Sequence, residues 1–543
     1  MHIRTFSVAL VGAAVASGAW YYRTAQQHHA KEASTFASPQ AGNTPLTAPD
    51  AYSNSAAASP SHPTAEEAAA STRRALVVEQ GQIYSGTIVG EGPLSKDTDD
   101  YGRKVLEMMT PEQATQKLRK NEESWLVGRG RGVVRYDVVQ IPSNDPIEDD
   151  HSEKIIELPQ TVVAVDGDAA SSDWMFWGIF DGHSGWTTSA KLRQSLISYV
   201  ARELHSTYKS ALQNPAVTFP TPESIDSAIK KGFLRLDNDI VHEAVKKVNQ
   251  SKSKVAAAEL LAPALSGSCA LLSFYDSRSK VLRVACTGDS RAVLGRRGPS
   301  GKWIATPLSV DQTGANEEEA NRMRAEHPGE PNVVMNGRVF GGLEPTRAFG
   351  DAIYKWTKDT QDRMKENYFG RTPSKMLKTP PYVTAEPVIT TTEVQPEKGD
   401  FVVLATDGLW EMLTNEEVVG LVGQWLDVQS KQTEGGNGTA GAWLKGLFGG
   451  GQKALPVESV NTESSSGDAQ GGQRRPVRQD QWRLKTSLND RFVVEDKNAA
   501  THLVRNALGG KDQDQLCALL TLPSPYSRRY RYVYRGNEEG WWY

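Results

Sequence analysis

Apolar positions along the chain fall into two kinds of run. Short, nearly unbroken stretches at Trp174 to Phe180, Ala270 to Phe274, Val281 to Cys286 and Phe401 to Ala405 predict buried strands. Ser189 to Arg202 and Pro222 to Val245 instead carry apolar residues at helical spacing, which predicts two amphipathic helices. Thr414 and Glu417 form a capping box that opens a third helix. Thr110-Pro111-Glu112 reads as an N-cap with proline in the first turn of a helix between Met108 and Glu123. Gly288-Asp289-Ser290 reads as a turn that pairs two strands as an antiparallel hairpin. Alternating strands and helices predict a mixed α/β domain.

The pattern changes at both ends and once inside. Phe6 to Tyr22 is almost free of charge, with Arg4 before it, Arg23 after it and no acidic residue before Glu32. It is short for a bilayer span, and three readings compete: a secretory signal, a mitochondrial presequence with a membrane anchor, or a buried helix. The buried helix is disfavoured, because the next segment offers nothing to pack on. Residues 1–24 are therefore taken as targeting sequence, and 25–75, rich in Ala, Ser, Pro and Thr, as a disordered tether. Residues 76–124 form an extension with one helix, and 125–535 the main domain. A Gly- and Ser-rich insertion at about 429–479 reads as flexible; within it Ala442 to Phe448 is a weak docking signal. Residues 532–543 form an atypical tail.

Composition narrows the function by exclusion. The 543 residues carry a net charge of −4 and no basic stripe interleaved with aromatics, so no nucleic-acid partner is expected. Cys269, Cys286 and Cys517 are the three cysteines; their spacing supports neither a disulfide framework nor a thiolate zinc site. No Walker loop or G-x-S-x-G elbow occurs. A calcium loop starting at Asp166 fails, because Ser171 and Trp177 stand where a glycine and an acid are needed.

Three apolar runs end in a carboxylate beside a glycine: Asp181-Gly182, Gly288-Asp289 and Asp407-Gly408. Any one of these is ordinarily a turn. Three in one domain, with the acidic pair Glu148-Asp149, gather mutually repelling charge that divalent cations would neutralise. Ligands that are all oxygen point to Mg²⁺ or Mn²⁺ rather than zinc. Gly182 leaves a backbone carbonyl open to the ligand set, and His183 places a titratable group at its edge.

These residues carry a family resemblance. Glu148-Asp149, Phe180-Asp181-Gly182-His183-Ser184-Gly185, Ser266-Gly267-Ser268-Cys269-Ala270, Thr287-Gly288-Asp289-Ser290-Arg291, Arg347-Ala348-Phe349-Gly350-Asp351 and Ala405-Thr406-Asp407-Gly408-Leu409-Trp410 resemble, in order, the motifs of the PPM, or type 2C, protein phosphatases. Asn144-x-Pro146-Ile147-Glu148-Asp149, Asn316 to Pro328, and Lys355-Trp356 after the Arg347–Asp351 motif look most like the branch of mitochondrial pyruvate dehydrogenase phosphatases and related fungal mitochondrial enzymes. The resemblance implies an α+β fold of two packed antiparallel sheets flanked by helices, a four-layer αββα sandwich. It implies a phosphoprotein substrate, pyruvate dehydrogenase by kinship, and two Mg²⁺ or Mn²⁺ ions. Asp181 would reach both ions, the Gly182 carbonyl and Asp407 the second, while Glu148 and Asp149 hold their waters. Asp289 and Glu411 match a weaker third site. Water activated between the cations would attack phosphorus in line, without a phosphoenzyme intermediate, and His183 would protonate the leaving oxygen. Kinship also favours a mitochondrial location, with inner-membrane anchorage as an option and a secretory-pathway membrane as the alternative.

Three departures stand against this match. Asn144 occupies the place of a phosphate-gripping arginine, which predicts a weaker grip on phosphate and is shared with the branch just described. Glu411 stands where aspartate is usual. After Arg531 the chain reads Tyr532 to Tyr543 without an aspartate, where the family has a metal-binding one before its last strand. That ending predicts weaker binding of the first ion, and it motivates the alternative of a pseudophosphatase that binds phosphoproteins without turnover.

Overall fold

The computed structural model describes residues 72–158 apart from 80, 81, 91, 93 and 95, and then 172–213, 219–434, 455–458 and 491–531. Phe6 to Tyr22, the tether up to residue 71, Asp166 to Asp168, Ala442 to Phe448 and the tail from Tyr532 lie outside the described residues.

The strands of the main domain are β1 (Asp150–Leu158), β2 (Ser172–Phe180), β3 (Ala270–Asp276), β4 (Val281–Thr287), β5 (Arg291–Arg297), β6 (Trp303–Pro307), β7 (Val388–Glu393) and β8 (Phe401–Ala405). The helices that matter here are α1 (Pro111–Arg119), α2 (Thr187–Leu212), α3 (Pro222–Asn238), α4 (Lys254–Leu265), α5 (Asn415–Glu434), α6 (Ala499–Leu508) and α7 (Gln513–Thr521). One antiparallel sheet has the order β7-β4-β3-β2-β1 and another the order β6-β5-β8.

Alternation along each strand sorts its side chains between two faces. Met175, Trp177 and Ile179 of β2, with Leu271, Tyr275, Leu282 and Val284, meet Ala292, Leu294, Val402 and Leu404 of the second sheet in one cluster. Their alternates, Trp174, Phe176, Phe180, Leu272 and Phe274, face Leu192, Leu196 and Val200 of α2 and Ile229 and Phe233 of α3. On the far side, Val293, Phe401 and Val403 pack against Val418, Val419 and Val422 of α5 and Leu503 of α6. The apolar runs of the central strands are unbroken because both faces are covered. The architecture is the expected α+β sandwich of two antiparallel sheets with helices outside.

Two expectations need correction. Gly288-Asp289-Ser290 does not close a hairpin: β4 pairs with β3 and β7, whereas β5 pairs with β6 and β8. The turn carries the chain from one sheet to the other. Gly288 has φ +107°, and a Cβ there would meet the Cys269 sulfur at 2.3 Å, so only glycine fits. The helix expected over Pro222 to Val245 ends its α-helical part at Asn238, passes through a π turn at Asp239–Glu243 and resumes at Ala244–Ser251. Within that wider turn the Val241 carbonyl accepts the Trp356 indole N–H at 2.8 Å, a side-chain demand of the kind that accompanies π bulges.

Parts of the span 429–479 expected to be flexible have regular structure. Helix α5 continues to Glu434, and Leu455–Glu458 returns along β6, where Trp303 and Pro456, and Glu458 and Trp303, exchange backbone hydrogen bonds of 2.8 Å. The extension before the main domain is also tied in. A three-stranded sheet of Thr72–Glu79, Gln82–Val89 and Lys104–Glu107 and helix α1 share one apolar cluster with α7, through Leu76, Leu118, Leu516, Leu519 and Leu520. Helix α1 starts with the expected Thr110 cap, closed as a box by Gln113.

Candidate active site

Strand register brings the carboxylates together. Both β2 and β4 run antiparallel to β3, with Ile179 and Cys286 on either side of Leu271. Their C-terminal ends therefore lie at the same end of the sheet, one on each side of β3, and Asp181 and Asp289 follow Ile179 and Cys286 by two and three residues. Between β5 and β8, Arg291 pairs with Ala405; two residues outward in that register, Asp289 faces Asp407. One oxygen from each of Asp181, Asp289 and Asp407 lies within 4.8 Å of the others. The sandwich thus turns three separate Asp-Gly ends into a single cluster.

Charge at that spacing needs compensation. At an effective dielectric of about 20, two carboxylates 4.8 Å apart repel by roughly 3 kcal/mol. Burial pushes the Asp181 carboxyl well above the usual range, and Asp149 and Asp289 push it further. Burial does the same to Asp407, with added repulsion from Asp181, Asp289 and Glu411. Asp149 is raised to about 6, by burial first; the Thr406 hydroxyl opposes the rise and Glu148 adds to it. A hard divalent cation fits an all-carboxylate cluster of this kind and removes the repulsion.

The remaining candidates surround the cluster. Glu148 accepts the Gly185 N–H on Oε1 at 2.7 Å and the Asn144 side-chain N–H on Oε2. The Asn144 amide is thus engaged with a neighbouring carboxylate. Thr406 donates to Asp149 at 3.3 Å. Glu411 shares a cavity of about 10 Å³ with Asp289, Arg291, Asp311, Asp407 and Trp410, room for about one water-sized sphere. The charge of Arg291 is already taken up by Asp311, at 2.6 and 3.0 Å.

Sequence reasoning gave Asp351 no role, yet it bonds His183: Nε2 and Oδ2 are 2.7 Å apart. Burial alone would lower the His183 pKa, but Asp351 outweighs it and raises the value. A signal was present, since Gly350-Asp351 sits at the end of the short strand Phe349–Gly350 much as Gly288-Asp289 follows β4. The Cys269 thiol, 3.2 Å from Asp289 Oδ1, and Gln312, which receives the Gly288 N–H at 2.8 Å and donates to Cys286 O at 3.0 Å, also hold the crossing turn and were not foreseen.

Stacked antiparallel sheets with a partly buried carboxylate cluster at their common end, suited to divalent cations, fit a metal-dependent phosphohydrolase. The chain belongs to the Protein phosphatase 2C family, which it matches over residues 147–436. It is 45% identical over 427 residues to "[Pyruvate dehydrogenase [acetyl-transferring]]-phosphatase 1, mitochondrial" of Saccharomyces cerevisiae, covering 76% of this chain and 70% of that one. Protein phosphatase 2C homolog C10F6.17c of Schizosaccharomyces pombe is 45% identical over 77% of this chain and 82% of its own length. The bovine mitochondrial phosphatase 1 of the same name as the budding-yeast protein is 32% identical, covering 78% and 81%. A solved serine-threonine phosphatase 2C from Toxoplasma gondii overlaps with a TM-score of 0.32 at 17% identity, covering 51% of this chain and 84% of that one. The protein is a metal-dependent serine/threonine protein phosphatase of the Mg²⁺- and Mn²⁺-using kind, and its substrates are phosphoproteins. No helix among the described residues is long and apolar enough to cross a membrane.

Proposed function

We propose that this phosphatase acts in the mitochondrion on phosphorylated pyruvate dehydrogenase, through two divalent cations held at the Asp181 cluster. The observation that carries the site assignment is the convergence of Asp181, Asp289 and Asp407 oxygens within 4.8 Å. The substrate and location rest on similarity to relatives bearing those names at 45% and 32% identity.

In this reading Asp181, the Gly182 carbonyl and Asp407 would hold the cations, and Glu148 and Asp149 would hold the water around them. Asp289 and Glu411 would hold a weaker third. The cations, when bound, offset charge on the phosphoryl oxygens and acidify the attacking water. Asn144 lies beside Glu148 and helps orient the phosphate as a neutral donor. His183 gives its proton to the departing serine or threonine oxygen.

The test is phosphate release from phosphorylated pyruvate dehydrogenase and from an unrelated phosphoprotein, with Mn²⁺, Mg²⁺ or EDTA and with Asp181→Ala as control. Metal-dependent release lost in the control supports the site. Equal kcat/KM on both proteins would remove the substrate assignment and leave the chemistry standing.

A further inference from the structure

Asp351 adopts a left-handed backbone (φ 46°) directly after Gly350 (φ 69°), a conformation that is costly for a residue with a side chain. Buried partners hold it there. The Asp351 N–H donates to Ser266 O at 2.9 Å, and the Gly350 N–H donates to Asp237 Oδ1 at 2.9 Å. Lys355 Nζ pairs with both Asp237 oxygens, at 2.8 and 2.7 Å, and donates to Ala348 O at 2.7 Å. Asp237, Asp351 and Lys355 are all less than one-tenth exposed. A buried ion pair contributes little net stability, but this one fastens both sides of the turn that delivers Asp351.

The delivery point is His183 Nε2, 2.7 Å from Asp351 Oδ2. Gly267 lies between them, paired with His183 on one side and Gly350 on the other. A Cβ on Gly267 would fall 2.2 Å from Nε2 and 2.3 Å from Oδ2. The bare glycine is what lets the two side chains meet.

We infer that Asp351 is a positioning residue: by accepting the Nε2–H of His183 it fixes the ring and leaves Nδ1 as the nitrogen that meets the leaving oxygen of the substrate. The inference rests on His183 being the proton donor. As water adds its hydroxyl to phosphorus and loses a proton to solvent, the ester P–O bond breaks and its electron pair stays on the serine oxygen. The Nδ1 proton moves to that oxygen, and the imidazole is reprotonated from solvent.

The experiment compares a phosphoserine peptide with p-nitrophenyl phosphate at saturating Mn²⁺, in the full chain. A serine alkoxide needs a proton to leave, whereas nitrophenolate, a weak base, does not. Asp351→Ala should lower kcat on the peptide about 10- to 100-fold, leave its KM near wild type, and change kcat on the aryl ester by less than about threefold. His183→Gln should show the same selectivity, and the double variant should be no worse than His183→Gln alone. Asp351→Asn, which keeps the shape and loses the charge, supplies the answer if the alanine variant does not fold. Equal losses on both substrates, or none, with Asp351 changed would overturn the inference while a selective His183→Gln leaves the proton donor standing. An unselective His183→Gln would remove the proton donor and the inference together.

Discussion

A Cβ on Gly182 would lie 2.1 Å from the carbonyl oxygen of Glu148. The segment bearing Glu148 and Asp149 therefore rests directly on Gly182, next to Asp181 just past the end of β2, and the two acidic arms are set by backbone contact. The Ser189 hydroxyl donates to the same carbonyl. Gly182→Ala must push that backbone away, because the closest contact is a main-chain carbonyl and not the end of a flexible side chain. Activity should fall at least about 100-fold, by analogy with the loss that small misplacements cause, and the Mn²⁺ concentration for half-maximal rate should rise. A Mn²⁺ titration of phosphopeptide hydrolysis reads both; wild-type metal dependence in the variant would contradict this account of the contact.

Metal removal and charge removal should act in opposite directions on stability. With cations stripped by EDTA, repulsion among Asp181, Asp289 and Asp407 acts against the folded state. Asp407→Asn should then melt above wild type in EDTA by about 2 °C or more, have no activity, and lose most of the melting shift that Mn²⁺ gives wild type. Acidity follows the same logic. Asp149 is raised from 3.8 to about 6, so the folded metal-free protein binds its proton more tightly than the unfolded chain does. The metal-free protein should lose stability as pH rises from about 4 to about 6. Cation binding requires the ionised form, so Mn²⁺ affinity should weaken as pH falls through about 6. Calorimetric titrations at several pH values would show both trends.

Glu319 and Arg347 give a second, oppositely signed pH effect. Arg347 reaches Glu319 through Nε and Nη2 at 2.8 to 3.1 Å, and Arg322 and the Thr346 hydroxyl join it. Burial alone would raise the Glu319 pKa, but the two guanidinium groups bring it down to about 2. A depressed carboxyl contributes stability above its unfolded value of 4.5 and loses it as pH falls toward 2. Glu319→Gln should cost up to about 3 kcal/mol near neutral pH, and the difference should vanish by about pH 2. Urea unfolding across that range measures it; a pH-independent difference would mean that lost packing, not charge, sets the cost.

Much of this was legible in the chain. Phe401 to Ala405 was found with its ends intact, and the Thr414–Glu417 capping box forms as written, with reciprocal bonds of 3.0 and 3.1 Å. Those features depend on neighbours along the chain. The Asp-Gly ends were visible for the same reason, but their meeting depends on strand register, which local pattern does not specify. The Gly288 turn was misread because a sheet-to-sheet crossing and a hairpin use the same turn residues; only the partners of β4 and β5 distinguish them. Asp351 went unassigned because its partner, His183, is far off in sequence, and the glycine that admits their contact lies on a third segment.

The extension before the main domain is the remaining case, since its sequence gives no sign that it completes the fold. Helix α1 presents Ala114 and Leu118, both fully buried, to Leu516, Leu519 and Leu520 near the other end of the described chain. Lys117 donates to Leu520 O at 2.6 Å, satisfying a carbonyl at the end of α7 that the helix itself cannot pair. Arg119 and Arg505 share the buried carboxylate of Asp496, at 2.8 and 2.6 Å. Leu118→Ala should therefore cost about 2–5 kcal/mol, as for a leucine deleted from any packed core, although it lies outside the family match that begins at residue 147. Lys117→Met, which keeps the stem and drops the bond, should cost about 1 kcal/mol. Both would leave kcat on a phosphopeptide near wild type below the melting temperature, because neither residue touches the carboxylate cluster. Chemical denaturation beside a rate measurement separates the two effects, and a stable Leu118→Ala protein would mean that the extension only rests on the domain.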